Sequence, residues 1–237
     1  MRMLKIEHLT KKYGDKTAVD NLSLHIKKGM IYGFIGHNGA GKTTTIKSCC
    51  GILKFDNGEI YIDGVSIKED PLGCKRKLAY IPDNPYLYEF LSGIKYLNFV
   101  ADIFDVPKTE REERIKKYAD LFELTDDLAQ PISSYSRGMK QKLAIISALI
   151  HDPKLVIMDE PFVGLDPKAT HYLKNIMRKI CDNGGAIFFS THVLEVAEKL
   201  CDEVAIIRKG KLVISGTMEE VKGNDSLEDV FLELEGE

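Results

Sequence analysis

Nothing in this sequence has the length or apolarity of a membrane span. The longest apolar stretches, such as Leu143 to Ile150, fall far short of the roughly 20 residues that a bilayer-crossing helix needs. Its opening residues do not have the build of a signal peptide. A basic excess is missing too: the formal net charge is −3, and clusters such as Lys75-Arg76-Lys77 are short and read as solvated faces, so no nucleic acid is expected as a partner. Cysteine is sparse. The five residues (Cys49, Cys50, Cys74, Cys181, Cys201) are odd in number and show no CxxC spacing, which argues for reduced thiols in a cytosolic protein. There are no internal repeats and no low-complexity segments. The remainder is ordinary: 237 residues, 44% apolar and 29% charged, enough to bury a sizeable core as one large domain or two small ones.

The informative stretch is Gly36-His37-Asn38-Gly39-Ala40-Gly41-Lys42-Thr43, which has the spacing Gly, four residues, Gly, Lys, then Ser or Thr. Met30 to Ile35 before it reads as a buried strand, and Thr44-Thr45-Ile46-Lys47 after it opens a helix. A glycine-rich turn in that setting lets successive backbone N–H groups point into one concavity, and the helix N-terminus adds partial positive charge. Lys42 is expected to reach the β- and γ-phosphates of a nucleotide, and the Thr43 hydroxyl to sit on Mg²⁺. Gly36 to Thr44 are therefore the candidate nucleotide-contact residues.

Around this loop the patterning changes twice. Met3 to Leu9 and Leu22 to Ile26 alternate as strands with a turn at Tyr13-Gly14, and Asp56-Asn57-Gly58 turns into a strand over Glu59 to Ile62. From about Ser92 to Leu149 the pattern is helical. Ser92 caps a helix through Asp102, and Thr109-Glu110-Arg111-Glu112 reads as a capping box that opens another, with Ile115, Tyr118, Ala119 and Phe122 on one face. Strand patterning resumes at Leu155-Val156-Ile157-Met158, tipped by Asp159-Glu160. Acidic residues at that place suit a phosphate loop, because Mg²⁺ needs oxygen ligands beside a triphosphate. A helix from about Pro167 to Cys181, a buried strand over Ala186 to Phe189 ending at Ser190-Thr191-His192, a hairpin turning at Lys209-Gly210 and a short acidic helix follow. The expected fold is α/β: a P-loop NTPase core with a mixed sheet, an N-terminal antiparallel β part and an inserted helical subdomain. Its core spans 1–83 and 151–237, and the insertion 84–150.

The whole chain resembles the ATP-binding subunit of an ABC transporter, with the motifs in that family's order. Tyr13 matches the aromatic residue on which adenine stacks, and Gly36 to Thr43 the Walker A loop. Ser134 to Gln141 looks like the signature segment, Leu155 to Glu160 like Walker B with its following glutamate, Gly164-Leu165-Asp166 like the D-loop, and His192 like the switch histidine. Two places depart from the usual pattern. Tyr135-Ser136-Arg137-Gly138-Met139 keeps only the Ser and the second Gly of Leu-Ser-Gly-Gly-Gln, a form similar to that of a bacterial exporter branch that moves drugs, antimicrobial peptides or lipid-linked compounds. Asp83 stands where the Q-loop glutamine is expected, and offers Mg²⁺ an oxygen with a negative charge.

The resemblance implies ATP and Mg²⁺ as cofactors, with Thr43, Asp83 and Asp159 toward the metal, Glu160 as general base and His192 against the γ-phosphate. It implies a second ATP-binding subunit, in a homo- or heterodimer, whose Ser136 and Gly138 complete the site. It also implies a separate transmembrane permease subunit that holds this cytoplasmic chain peripherally on the inner face of the cell membrane, and export as the direction. Read from the residues alone, Tyr13 also fits plain packing at a strand end, Ser136 and His192 fit helix capping, and Asp83 fits a turn between Pro82 and Pro85. A soluble ABC-type ATPase in translation or repair, and an unrelated phosphate-loop kinase or GTPase, are the competing classes.

Overall fold

Alternation in the first sixty residues builds an antiparallel sheet. In the computed structural model, which describes residues 2–236, strands β1 (Arg2–Tyr13) and β2 (Lys16–Lys27) pair so that Leu4 meets Ile26, Ile6 meets Leu24 and Leu9 meets Leu22. These are the buried members of each pair. Gly14, at φ 58°, makes the hairpin turn. β4 (Asn57–Ile62) pairs with the other edge of β1, and β5 (Val65–Ser66) with β4, giving the order β2-β1-β4-β5.

The second sheet is mixed and six-stranded, in the order β10-β9-β3-β8-β7-β6. Its members are β3 (Ile31–Ile35), β6 (Leu78–Ile81), β7 (Leu155–Asp159), β8 (Ala186–Thr191), β9 (Glu203–Arg208) and β10 (Lys211–Thr217). β3, β7 and β8 are buried at every residue, which is why they read as unbroken apolar runs. Complete burial of Ile31, Phe34 and Ile35 contributes roughly 1.5–3 kcal/mol each. β3 pairs in parallel with β8 and β9, β8 pairs in parallel with β7, and β10 returns antiparallel.

The helices are α1 (Lys42–Cys49), α2 (Pro71–Lys77), α3 (Gly93–Ile103), α4 (Lys108–Leu121), α5 (Arg137–Leu149), α6 (Pro167–Asp182), α7 (Leu194–Leu200), α8 (Met218–Lys222) and α9 (Leu227–Gly236). Ser92 caps α3 by accepting from the Lys95 N–H. The Thr109 capping box does not form. Pro107 is the N-cap of α4 and its carbonyl already accepts from the Arg111 N–H at 2.8 Å, so the first turn closes two residues earlier and takes Thr109 inside it. The α2 helix was not foreseen, although Asp70 accepts from Gly73 N–H at 2.8 Å and Pro71 supplies the preset φ of a first helical residue.

The chain folds as two units. One takes in residues up to Tyr80, Lys154–Pro161 and the chain from Met177 on; it holds both sheets. The other comprises Ile81–Pro153 and Phe162–Ile176 and is built from helices. All five cysteines are buried free thiols.

Candidate active site

Because β3, β7 and β8 run parallel, their C-terminal ends meet at one edge of the six-stranded sheet. β3 delivers the glycine-rich loop. A Cβ on Gly36 would lie 2.5 Å from the Ile207 carbonyl oxygen, and one on Gly41, at φ 111°, would lie 2.5 Å from that of Ala18. The Ala40 N–H donates to the His37 carbonyl at 3.1 Å, and the Gly210 N–H to the Ala40 carbonyl at 2.8 Å. Helix α1 starts at Lys42 rather than Thr44, so Lys42, Thr43 and Thr44 form the first turn, where N–H groups have no carbonyl of their own helix to bond.

Lys42 is 6% exposed. Its ammonium donates to the Gly36 carbonyl at 2.5 Å and the His37 carbonyl at 3.2 Å, and lies 3.9 Å from Glu160 Oε1. Burial draws its pKa down, while Glu160 and Asp159 oppose that shift.

β7 delivers the acids. Asp159 is buried, with Oδ2 accepting from Thr43 Oγ1 at 2.7 Å and Oδ1 accepting from the Ser190 hydroxyl. The register of β7 on β8 pairs Asp159 with Ser190 directly. Glu160 leaves the strand in the left-handed region, at φ 48°, and its N–H reaches Ser190 O at 3.2 Å and Ser190 Oγ at 3.3 Å. The Glu160 carboxylate lies 2.8 Å from His192 Nδ1, within hydrogen-bond distance.

The donor set fits Mg²⁺, which takes one or two carboxylates beside phosphate oxygens and water. Thr43 and Asp159 present hard oxygens 2.7 Å apart. Among the described residues no group of three or more His, Cys, Asp or Glu could hold a metal by itself. Tyr13, half-exposed at the hairpin tip, has the Lys11 ammonium 5.3 Å from its ring centroid. Ala18 of the same hairpin is the residue against Gly41.

In the helical unit, Ser136 caps α5 by accepting from the Met139 N–H at 3.2 Å. A Cβ on Gly138 would lie 2.9 Å from the Gly164 carbonyl oxygen. Lys142 pairs with Asp166 at 2.7 Å and holds that carboxyl below the usual range. The Asp83 carboxylate lies 3.6 Å from the Arg137 guanidinium, both side chains well exposed.

The sequence profile of the ABC transporter family matches residues 19–163. The chain belongs to this family. It is 35% identical over 239 residues to the ABC-type transporter ATP-binding protein EcsA of Bacillus subtilis, covering 99% of this chain and 97% of EcsA. It is 38% identical over 212 residues to the B. subtilis ATP-binding protein YhcH, covering 89% of this chain and 68% of YhcH, and the match to a Synechocystis relative spans only 60% of that protein. It is 36% identical over 213 residues to SkfE of B. subtilis, a SkfA peptide export ATP-binding protein, covering 90% of this chain and 88% of SkfE. A solved ATP-binding subunit of an ABC transporter superposes with a TM-score of 0.94 at 34% identity, over 98% of this chain and 99% of that one.

Within this ABC subunit, Lys42, Thr43, Asp159, Glu160 and His192 come together by hydrogen bonds and ion pairs in the sheet-bearing unit. Asp83, Ser136 and Gly138 belong to the helical one. One residue escaped sequence reasoning: Ser190, which bonds both Asp159 and the Glu160 N–H. Its signal was a serine ending a second buried run, and it becomes readable only once β7 and β8 are known to be neighbours.

Proposed function

We propose that this chain hydrolyses ATP to drive a separate transmembrane permease, and does so as a dimer. The observation that carries this reading is the linked set of Thr43, Asp159 and Ser190 on one side and Glu160 with His192 on the other, beside a buried Lys42. Lys42 and the first turn of α1 bind the terminal phosphates. Thr43 and Asp159 hold Mg²⁺, which when bound neutralises phosphate charge. Glu160 accepts the proton of a water in line with the γ-phosphate, so that the P–O bond to ADP breaks as the new one forms. His192 keeps the Glu160 carboxylate aimed at that water and touches the γ-phosphate.

Ser136 and Gly138 of a second copy, or of a similar subunit, complete the site from the exposed head of α5. Asp83 would be a further oxygen ligand for that Mg²⁺. The permease meets the helical unit, where Tyr86 and Phe90 are 94% and 81% exposed and Tyr88 gathers Phe90, Tyr96 and Phe99 around its ring. No described helix is long and apolar enough to cross a membrane, in keeping with a subunit held peripherally at the inner face. Export as the direction is supported by the likeness to SkfE.

Glu160→Gln tests the reading. It keeps size and hydrogen bonding but removes the base, so turnover should drop by about 10²–10⁴-fold while ATP still binds. The variant should elute from a sizing column as an ATP-bound dimer. Near-normal turnover would take the base role away from Glu160.

A further inference from the structure

His37, second in the phosphate loop, meets an aromatic partner from far along the chain: its ring faces that of Phe231 on α9, centroids 4.9 Å apart at 62°. Helix α9 is built to stay there. Leu227, Val230, Phe231 and Leu234 follow a helical spacing, and Leu227 and Phe231 are buried. The Ser226 hydroxyl accepts from the Asp229 N–H at 3.1 Å and caps its start. The Leu227 N–H donates to Glu198 Oε2 on α7 at 3.3 Å, and Glu198 also pairs with Lys222 of α8. Near the other end, Arg208 of β9 donates to the Leu234 carbonyl. His37, Asn38 and Gly39 form the exposed limb of the loop, and Gly39, at φ 82°, has open space where a Cβ would point.

We propose that Phe231 is a positioning residue for nucleotide binding: by holding His37 it fixes the exposed limb of the loop in its anion-ready shape before ATP arrives. A glycine-containing limb left unrestrained has to be ordered by the ligand, and that ordering is subtracted from the affinity. A ring anchored at both ends of its helix does the ordering in the folded protein. The helix it rides on is tied to α7, which begins two residues after His192, so one element touches both the loop and the segment leaving the switch histidine. This inference rests on the reading of Gly36 to Thr44 as the ATP site.

The test is MANT-ATP binding with Mg²⁺, followed by fluorescence on the full chain, for the parent, Phe231→Leu, Phe231→Met, His37→Ala and the Phe231→Leu/His37→Ala pair. Leu and Met keep an apolar side chain under α9 but have no ring, and each variant's melting transition reports that it is folded. Both should bind about 3–10-fold more weakly, with turnover at saturating ATP within about twofold of the parent, so that KM moves and kcat does not. The double variant should be no weaker than the weaker single one, because the two side chains act through one contact. Parent-like binding by folded Phe231→Leu and Phe231→Met, or losses that multiply in the double variant, would overturn the positioning role. If the parent itself fails to bind MANT-ATP, the ATP-site reading falls and this inference with it.

Discussion

Ser190→Ala isolates the support of the acidic pair without touching either acid. The serine is fully buried, donates to Asp159 Oδ1 and accepts from the Glu160 N–H at 3.3 Å. Removing the hydroxyl leaves the Glu160 N–H a partner, since the Ser190 carbonyl stays at 3.2 Å. Asp159 is not so fortunate: at 5% exposure it keeps, among the described residues, only the Thr43 bond, and one carboxylate oxygen loses its donor. A charge-assisted bond lost in that setting costs about 1.5–3 kcal/mol. For a chain of this length each kcal/mol shifts Tm by roughly 2–4 °C, so a drop of about 3–12 °C is expected in nucleotide-free protein. Ser48→Ala is the matched control: Ser48 is equally buried, but donates to the Thr44 carbonyl at 2.9 Å within its own helix, a bond whose loss costs little. Differential scanning calorimetry on the three proteins decides it. Equal Tm values for Ser190→Ala and Ser48→Ala would refute the argument that Asp159 depends on this hydroxyl.

Lys42→Ala removes a charge worth about 10–100-fold in ATP affinity by the strength of charge-assisted hydrogen bonds, and should leave adenosine binding far less changed; calorimetric titration with both ligands checks this, and unchanged ATP affinity would reduce the loop to a structural turn. Tyr13→Ala should weaken ATP, GTP and ADP together, roughly 10-fold if a base stacks on the ring, and a loss confined to one base would point to an edge contact instead. If Asp83 reaches the triphosphate as proposed, Asp83→Gln should flatten the dependence of ATP affinity on Mg²⁺, because a carboxylate there would repel phosphate until metal offset it. Parallel Mg²⁺ titrations would leave Asp83 as no more than the partner of Arg137.

What could be read beforehand, and what could not, divides along physical lines. β3, β7 and β8 were legible because burial on both faces leaves an apolar signature that does not depend on neighbours. The phosphate loop was legible because glycine is demanded at Gly36 and Gly41 by backbones arriving from β9 and β2. The order of the strands was not, and with it went Ser190, whose role exists only through the register that sets it opposite Asp159. Helix α2 was missed because seven residues carrying three basic side chains show little amphipathic pattern, although Asp70-Pro71 announced its start. The opposite error came at Thr109, where a good local motif lost to a proline two residues upstream. The left-handed turn at Glu160 left no trace at all, since glutamate is not a residue that advertises positive φ.

The five interior thiols have a practical side. Burial raises the pKa of every one of them, that of Cys181 to about 12, and thiolate is the form that reacts. To alkylating reagents the folded chain is therefore close to a cysteine-free protein. A single cysteine introduced on an exposed surface could carry a dye or spin label without deleting any native residue. The native thiols would stay silent until the fold opens, and their labelling would then time the opening.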